Sequence, residues 1–221
     1  MRRIFAVGDI HGCLDRFLNI LSQIDLHKED QFYLLGDMID RGSDSFGVIN
    51  NILKLQRDGY DIQPIMGNHE NMLLACLDAE EGTEDLELWL ENGGIETLES
   101  YGVGTPDEIP MEHLNFIVDL PFYIMTDKFI FVHGSLNMKL KDPLADEGRE
   151  TMIWGRNRIT STRKIGNRTV VSGHTILPLE EIKKTLHTKH IQLDNGCFLK
   201  GRAGFCNLFC LELESMELFI A

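Results

Sequence analysis

Residues 4–12 read Ile4-Phe5-Ala6-Val7-Gly8-Asp9-Ile10-His11-Gly12, an apolar run that stops at a glycine and a knot of polar side chains. Leu14, Phe17, Leu18 and Leu21 follow at helical spacing. The rhythm returns twice. Phe32-Tyr33-Leu34-Leu35 runs into Gly36-Asp37-Met38-Ile39-Asp40-Arg41-Gly42, and then into Val48, Ile49, Ile52, Leu53 and Leu55. Residues 62–66 run into Gly67-Asn68-His69-Glu70, and then into Met72, Leu73, Cys76 and Leu77. Strand, glycine-bearing turn and amphipathic helix, repeated, predict βαβ units and a parallel sheet, hence an α/β fold. Ligands of such sheets bind beyond the carboxyl ends of the strands, where all three polar clusters fall.

Outward from this core, residues 78–120 read as helical, with Trp89, Leu90, Ile95 and Leu98 as apolar marks and a break at Gly93-Gly94. The acidic run from Asp78 to Glu91 reads as a solvated helix face. Phe122 to Met125 and Phe129 to Val132 predict a hairpin that ends in His133-Gly134-Ser135. Thr169 to Val171 is a strand ending in Ser172-Gly173-His174-Thr175, and further strands are expected at Ile191 to Leu193 and in the alternating run from Phe205 to Ile220. No linker or repeat divides the 221 residues, so one domain over 1–221 is expected.

Charge narrows the partners. Lys and Arg number 21 against 35 Asp and Glu, a formal net charge of −14. This argues against nucleic acid, whose binding needs a basic face, and against an anionic membrane surface. Five scattered cysteines show no CxxC spacing, so neither a zinc ribbon nor a disulfide framework is indicated. Basic Met1-Arg2-Arg3 precedes an apolar run of only Ile4 to Val7, too short for a signal peptide. A cytoplasmic monomer is the simplest expectation.

Asp9 or Asp37 alone could be a helix cap. Five clusters after five apolar runs, holding four of the eight histidines (His11, His69, His133 and His174), point instead to a site. Asp9, His11, Asp37, Asn68, His133 and His174 offer carboxylate, imidazole and amide with no thiolate, a donor set suited to Mn²⁺, Fe or catalytic Zn²⁺. Six donors exceed what one catalytic metal with an open position takes, and fit a pair sharing a carboxylate. No cysteine has an arginine six residues later, which excludes the cysteine-phosphatase loop.

The ordered motifs Gly8-Asp9-Ile10-His11-Gly12, Gly36-Asp37-Met38-Ile39-Asp40-Arg41-Gly42, Gly67-Asn68-His69-Glu70, His133-Gly134 and Gly173-His174-Thr175 resemble the signature of metallophosphoesterases, in particular the phosphoprotein phosphatase branch. The likeness is to small bacterial and lambda-phage serine/threonine protein phosphatases. It extends through Trp89-Leu90-Glu91-Asn92-Gly93-Gly94, Trp154-Gly155-Arg156 and Asp194-Asn195-Gly196-Cys197.

The resemblance implies a calcineurin-like metallophosphoesterase fold, a β-sandwich flanked by helices with a dinuclear metal site at the strand ends. Asp9 and His11 would bind the first metal, Asp37 would bridge, and Asn68, His133 and His174 would complete the second. His69 would be the general acid, oriented by Asp40, and Arg41 and Arg156 would hold the phosphate. The activity implied is hydrolysis of a phosphoprotein or phosphopeptide by in-line attack of a metal-bridging hydroxide, with two divalent ions, Mn²⁺ first. Arg158 competes with Arg156 for the second clamp. Ser135 stands where the family usually has Gly or Ala, and its hydroxyl would either bond near the second metal or crowd it. Cys13, at a helix start, reads as packing. The alternative activity is a diadenosine polyphosphate hydrolase on the same fold. Those relatives tend to carry Asp where Glu70 stands and to lack the carboxylate at Asp40. A metal-binding scaffold with a dead site would have lost a ligand or His69, and none is lost.

Overall fold

The computed structural model describes residues 2–78 and 84–221. The elements follow in chain order as β1 (Ile4–Val7), α1 (Leu14–Ile24), β2 (Gln31–Leu34), α2 (Ser45–Arg57), β3 (Asp61–Pro64), α3 (Asn68–Asp78), α4 (Glu84–Trp89), α5 (Ile95–Tyr101), α6 (Met111–Val118), β4 (Tyr123–Met125), β5 (Phe129–Val132), α7 (Arg149–Trp154), β6 (Thr169–Ser172), α8 (Leu179–Thr185), β7 (His190–Gln192), β8 (Phe209–Glu212) and β9 (Glu217–Ile220).

Two mixed sheets form. One has the order β3-β2-β1-β8-β9, the other β4-β5-β6-β7. In the first, β1, β2 and β3 are parallel and β8 and β9 antiparallel. In the second, β5, β6 and β7 are parallel and β4 antiparallel. The strands alternate because successive side chains of a strand face opposite ways. Phe5, Val7, Phe32 and Leu34 join the core beneath the helices. Ala6, Tyr33 and Leu35 turn to the other face and meet Phe129, Phe131, Val171 and Ile191 of the second sheet. Tyr33 stacks on Phe131 at 3.7 Å between ring centroids and 8° between planes, tying the sheets together. Ile130, Val132 and Val170 face outward from the second sheet and are covered by Leu136, Met152, Ile159 and Ile165.

The expected strands and helices of the first seventy residues are present, each bounded within about two residues of its apolar run. The expected break at Gly93-Gly94 is present as a kink, where the backbone of Gly93 leaves the helical region. Gly93 takes φ 111°, and a new helix, α5, starts at Ile95 beyond the kink. Glu84, Asp85, Glu87 and Glu91 are exposed, as a solvated face requires, while residues 79–83 and the Asp78 side chain lie outside the described residues. The alternating C-terminal run yields β8 and β9 only, for Cys206 adopts a left-handed backbone and cannot extend a strand upstream. Among the described residues no helix is long and apolar enough to cross a membrane.

Candidate active site

Every candidate cluster sits just past the carboxyl end of a parallel strand: Asp9 and His11 after β1, Asp37 after β2, Asn68 and His69 after β3, His133 after β5, His174 after β6. Two sheets therefore contribute to one cleft of about 240 Å³, lined by Asp9, Asp37, Arg41, Asn68, His69, Arg156 and His174 among others. The chain reaches it through tight turns. His11, Asp37, Asp40, Arg41 and His174 all have φ between 44° and 72°, the left-handed region that non-glycine residues rarely enter. Such strain persists only where the surroundings over-determine it. Here Glu70 does much of that: its carboxylate accepts the backbone N–H of Asp37 (2.9 Å), Met38 (2.7 Å), Ile39 (3.3 Å) and Gly67 (3.0 Å), stitching two turns together. Close approach does the rest, since a Cβ on Gly173 would collide with the Asp9 carboxylate.

Asp37 lies at the centre. Its Oδ2 is 3.3 Å from His133 Nε2, 3.5 Å from His11 Nε2 and 3.9 Å from His69 Nε2. Two donor groups share it, His11 with Asp37 and His69, and Asp37 with His133 and His174. Asn68 Oδ1 is 2.9 Å from His133 Nε2. Asp9 is not within either group; its two oxygens accept the His174 backbone N–H at 3.0 and 3.1 Å. Neither aspartate caps its own following helix. Asp37 Oδ1 accepts the backbone N–H of His69 in the first turn of α3.

The ring orientations suit metal ligation. His11 Nδ1 bonds the Ile39 carbonyl at 3.0 Å and His133 Nδ1 the Leu35 carbonyl at 2.7 Å, which directs Nε2 of each into the cleft. Burial holds His11 well below its ordinary value and His174 down to about 4, so both rings offer a lone pair. Burial also disfavours charge on Asp37 and on His133. Their mutual attraction outweighs it, holding Asp37 well below the usual carboxylate range and pushing His133 up to about 10. Burial, reinforced by Asp194, raises Asp9 well above that range. These oxygens call for positive charge in their midst, and a hard or borderline divalent cation meets the O/N donor set. The residues present fit the group.

Beside the donors, His69 is held by its far nitrogen. Nδ1 lies 2.7 Å from Asp40 Oδ2, and Asp40 also accepts from Trp89 Nε1 (3.0 Å) and Thr97 Oγ1 (2.6 Å). His69 Nε2 faces the cleft and, among the described residues, is the buried side-chain nitrogen or oxygen without a partner. Arg41 Nη1 donates to His11 Nε2 at 3.0 Å while its guanidinium lies 4.6 Å above the ring of Phe198, whose edge also meets His11. Arg156 Nε donates to His174 Nε2 at 3.2 Å. Arg158 does not reach the cleft; it lines a separate hollow with Asn157 and Ile159. Ser135 neither bonds near the donors nor crowds them, because its hydroxyl turns to the Asn157 carbonyl at 2.7 Å. Cys13 packs with its thiol against that of Cys197, which donates to the Asp9 and Ile10 carbonyls.

Sequence reasoning did not assign Trp89, Thr97, Glu70, Phe198 or Asp194. Asp194, at the end of β7, is buried and pushed up to about 6 by that burial. Trp89 and Asp194 stood within recognisable stretches, but Thr97 and Phe198 carried no local signal.

The model of the calcineurin-like phosphoesterase family matches residues 2–200. The chain is 27% identical to serine/threonine-protein phosphatase 2 of Salmonella typhimurium over 219 residues, 92% of each protein. It is 40% identical to the symmetrical bis(5'-nucleosyl)-tetraphosphatase of an Acidovorax species, but over 74 residues, 33% of this chain and 25% of that one. A solved structure of a cold-active protein-tyrosine phosphatase from a psychrophilic Shewanella superposes with a TM-score of 0.64 at 19% identity, covering all of this chain and 77% of that one, which is likeness of fold.

Proposed function

Because the chain belongs to the calcineurin-like phosphoesterase family, we propose that it is a metal-dependent phosphomonoesterase that removes phosphate from serine and threonine side chains of proteins. Asp9, His11, Asp37, Asn68, His133 and His174 would hold two divalent ions, Mn²⁺ foremost, which when bound supply Lewis acidity and lower the pKa of water. Arg41 and Arg156, both in the lining of the cleft, take the phosphate oxygens through their planar forks. Phe198 stacks against the Arg41 guanidinium and limits its movement. As a water oxygen bonds to phosphorus in line and the ester phosphorus–oxygen bond breaks, His69 would give the proton at Nε2 to the leaving oxygen, and Asp40 keeps the ring turned for it.

The observation that carries this reading is the Asp40–His69 pair, with Nε2 unpartnered in the cleft. An alkoxide of serine or threonine leaves poorly unless protonated, and a positioned acid contributes roughly 10²–10⁴-fold. The alternative substrate, a dinucleoside polyphosphate, expels a nucleoside polyphosphate, already a stable anion that needs no such proton. The relative of that name matches a third of this chain, the protein phosphatase nearly all of it.

A turnover panel tests the reading: phosphoserine, phosphothreonine and phosphotyrosine peptides against diadenosine tetraphosphate, with Mn²⁺ and after exhaustive chelation. Phosphoserine and phosphothreonine peptides are expected to lead, and chelation to abolish all activity. Faster hydrolysis of the dinucleotide overturns the substrate, and activity that survives chelation overturns the metal dependence. His69→Asn is expected to lower kcat on phosphoserine peptides by roughly 10²-fold or more, and to lower it less on p-nitrophenyl phosphate, whose leaving group needs little protonation.

A further inference from the structure

Across the loop that carries Arg156 lies a second hollow of about 450 Å³. Asn137, Lys139, Thr151, Asn157, Arg158 and Ser161 are among its walls. It holds two cations and no carboxylate, in a chain whose net charge is −14. The segment from Arg149 to Arg168 contains six basic residues and one acidic. Several of these are committed elsewhere. Arg149 pairs with Asp146, Lys164 Nζ donates to the carbonyls of Met138 and Leu140, and Arg168 donates to those of Thr126 and Ile165. Lys139 and Arg158 are exposed, and among the described residues their side chains bond to nothing. Unpaired cations amid surplus acid give this hollow a locally positive face.

The backbone between the two hollows is fixed. Ser135 Oγ bonds the Asn157 carbonyl, Asn157 Nδ2 bonds the Leu136 carbonyl at 3.1 Å, and the Ile159 N–H bonds His190 Nδ1 at 3.1 Å. From this braced strip Arg156 enters the catalytic cleft and Arg158 the second hollow. Two residues of extended chain span at most roughly 7 Å, in this strip and in a bound peptide alike. A substrate peptide lying extended past the strip would present a phosphorylated residue to Arg156 and the side chain two positions away to Arg158.

We propose that this hollow is a specificity subsite for an acidic side chain two residues from the phosphorylated one, its carboxylate taken by Arg158 and Lys139. The inference rests on the phosphoprotein reading above. The planar guanidinium suits a carboxylate, and Lys139 adds a second charge to the same wall.

The experiment compares phosphoserine peptides that are identical except for Asp, Gln or Lys two positions before or after the phosphoserine. On the wild-type enzyme, kcat/KM is expected to rank Asp over Gln over Lys for one of the two placements. The Asp peptide should lead Gln by roughly 3- to 10-fold, the scale of two exposed ion pairs, acting through KM and shrinking at high salt. In the double variant Arg158→Gln/Lys139→Gln the three peptides should converge, while hydrolysis of p-nitrophenyl phosphate stays at the wild-type rate. Equal kcat/KM across the wild-type series overturns the subsite, as does discrimination that persists in the double variant. A fall on p-nitrophenyl phosphate as large as that on the Asp peptide also overturns it, placing the two residues in the scaffold instead. Hydrolysis of p-nitrophenyl phosphate with none of the peptides cleaved overturns the phosphoprotein reading itself, a result distinguishable from the loss of the subsite alone.

Discussion

Asp40 accepts from His69, Trp89 and Thr97 at once, and burial lifts its pKa above the ordinary value even so. A carboxylate so placed acts by aiming, so Trp89 and Thr97 are positioning residues for the proposed acid. Thr97→Val and Trp89→Phe are each expected to lower kcat on a phosphoserine peptide by roughly 10-fold, with KM little changed, the loss of one hydrogen bond to a charged group. The same variants should move p-nitrophenyl phosphate turnover less, and steady-state kinetics on the two substrates checks it. The guanidiniums make a second comparison. Arg156→Ala should raise KM more than Arg158→Ala on p-nitrophenyl phosphate, for only Arg156 lines the cleft. Phe198→Leu removes the ring beneath Arg41, and a cation–π contact of about 0.5–1 kcal/mol predicts a KM rise of roughly 2- to 5-fold. Phe198→Tyr should restore it.

At the scale of the element, the functional turns after β1, β2 and β6 leave their strands through a backbone that bends the left-handed way. The residue types, their order and their place after apolar runs were legible in the sequence, because Asp, His and Asn at strand ends are chemically conspicuous. The groups that hold the turns were not. Glu70 stood in the sequence as a mark that separates two kinds of relative, yet its work is mechanical, accepting four backbone N–H groups from two loops. The Trp89 and Thr97 contacts span 49 and 57 residues, a closure that local pattern cannot encode. The Trp154-Gly155-Arg156 spacing favours Arg156 over Arg158 as the clamp, and the structure places Arg156 in the cleft and Arg158 in a separate hollow. Glu70→Gln puts an amide donor against backbone donors. It should cost about 2–3 kcal/mol of stability, read as a lower midpoint in urea with an unchanged slope.

Over the whole molecule, acid should be destabilising in a window that one buried ring helps to set. Burial holds His190 down to about 4, against 6.5 for the free side chain, while Ser172 and the Ile159 N–H occupy its two nitrogens. Between those values the unfolded chain takes a proton that the folded chain refuses. The contribution of His190 is therefore full above about pH 6.5 and is lost as pH falls toward 4, up to about 3 kcal/mol. His190→Gln should flatten the fall of Tm across that range, which calorimetry at several pH values measures. The two sheets touch face to face through Tyr33 and Phe131, and each supplies part of one donor set. Activity is thus a vernier for their alignment. A drift of one sheet along the other by even an ångström, too little to melt a strand, takes His133 and His174 out of register with Asp37. On warming, turnover should begin to fade before circular dichroism records any loss of structure, and added divalent metal is expected to narrow that gap.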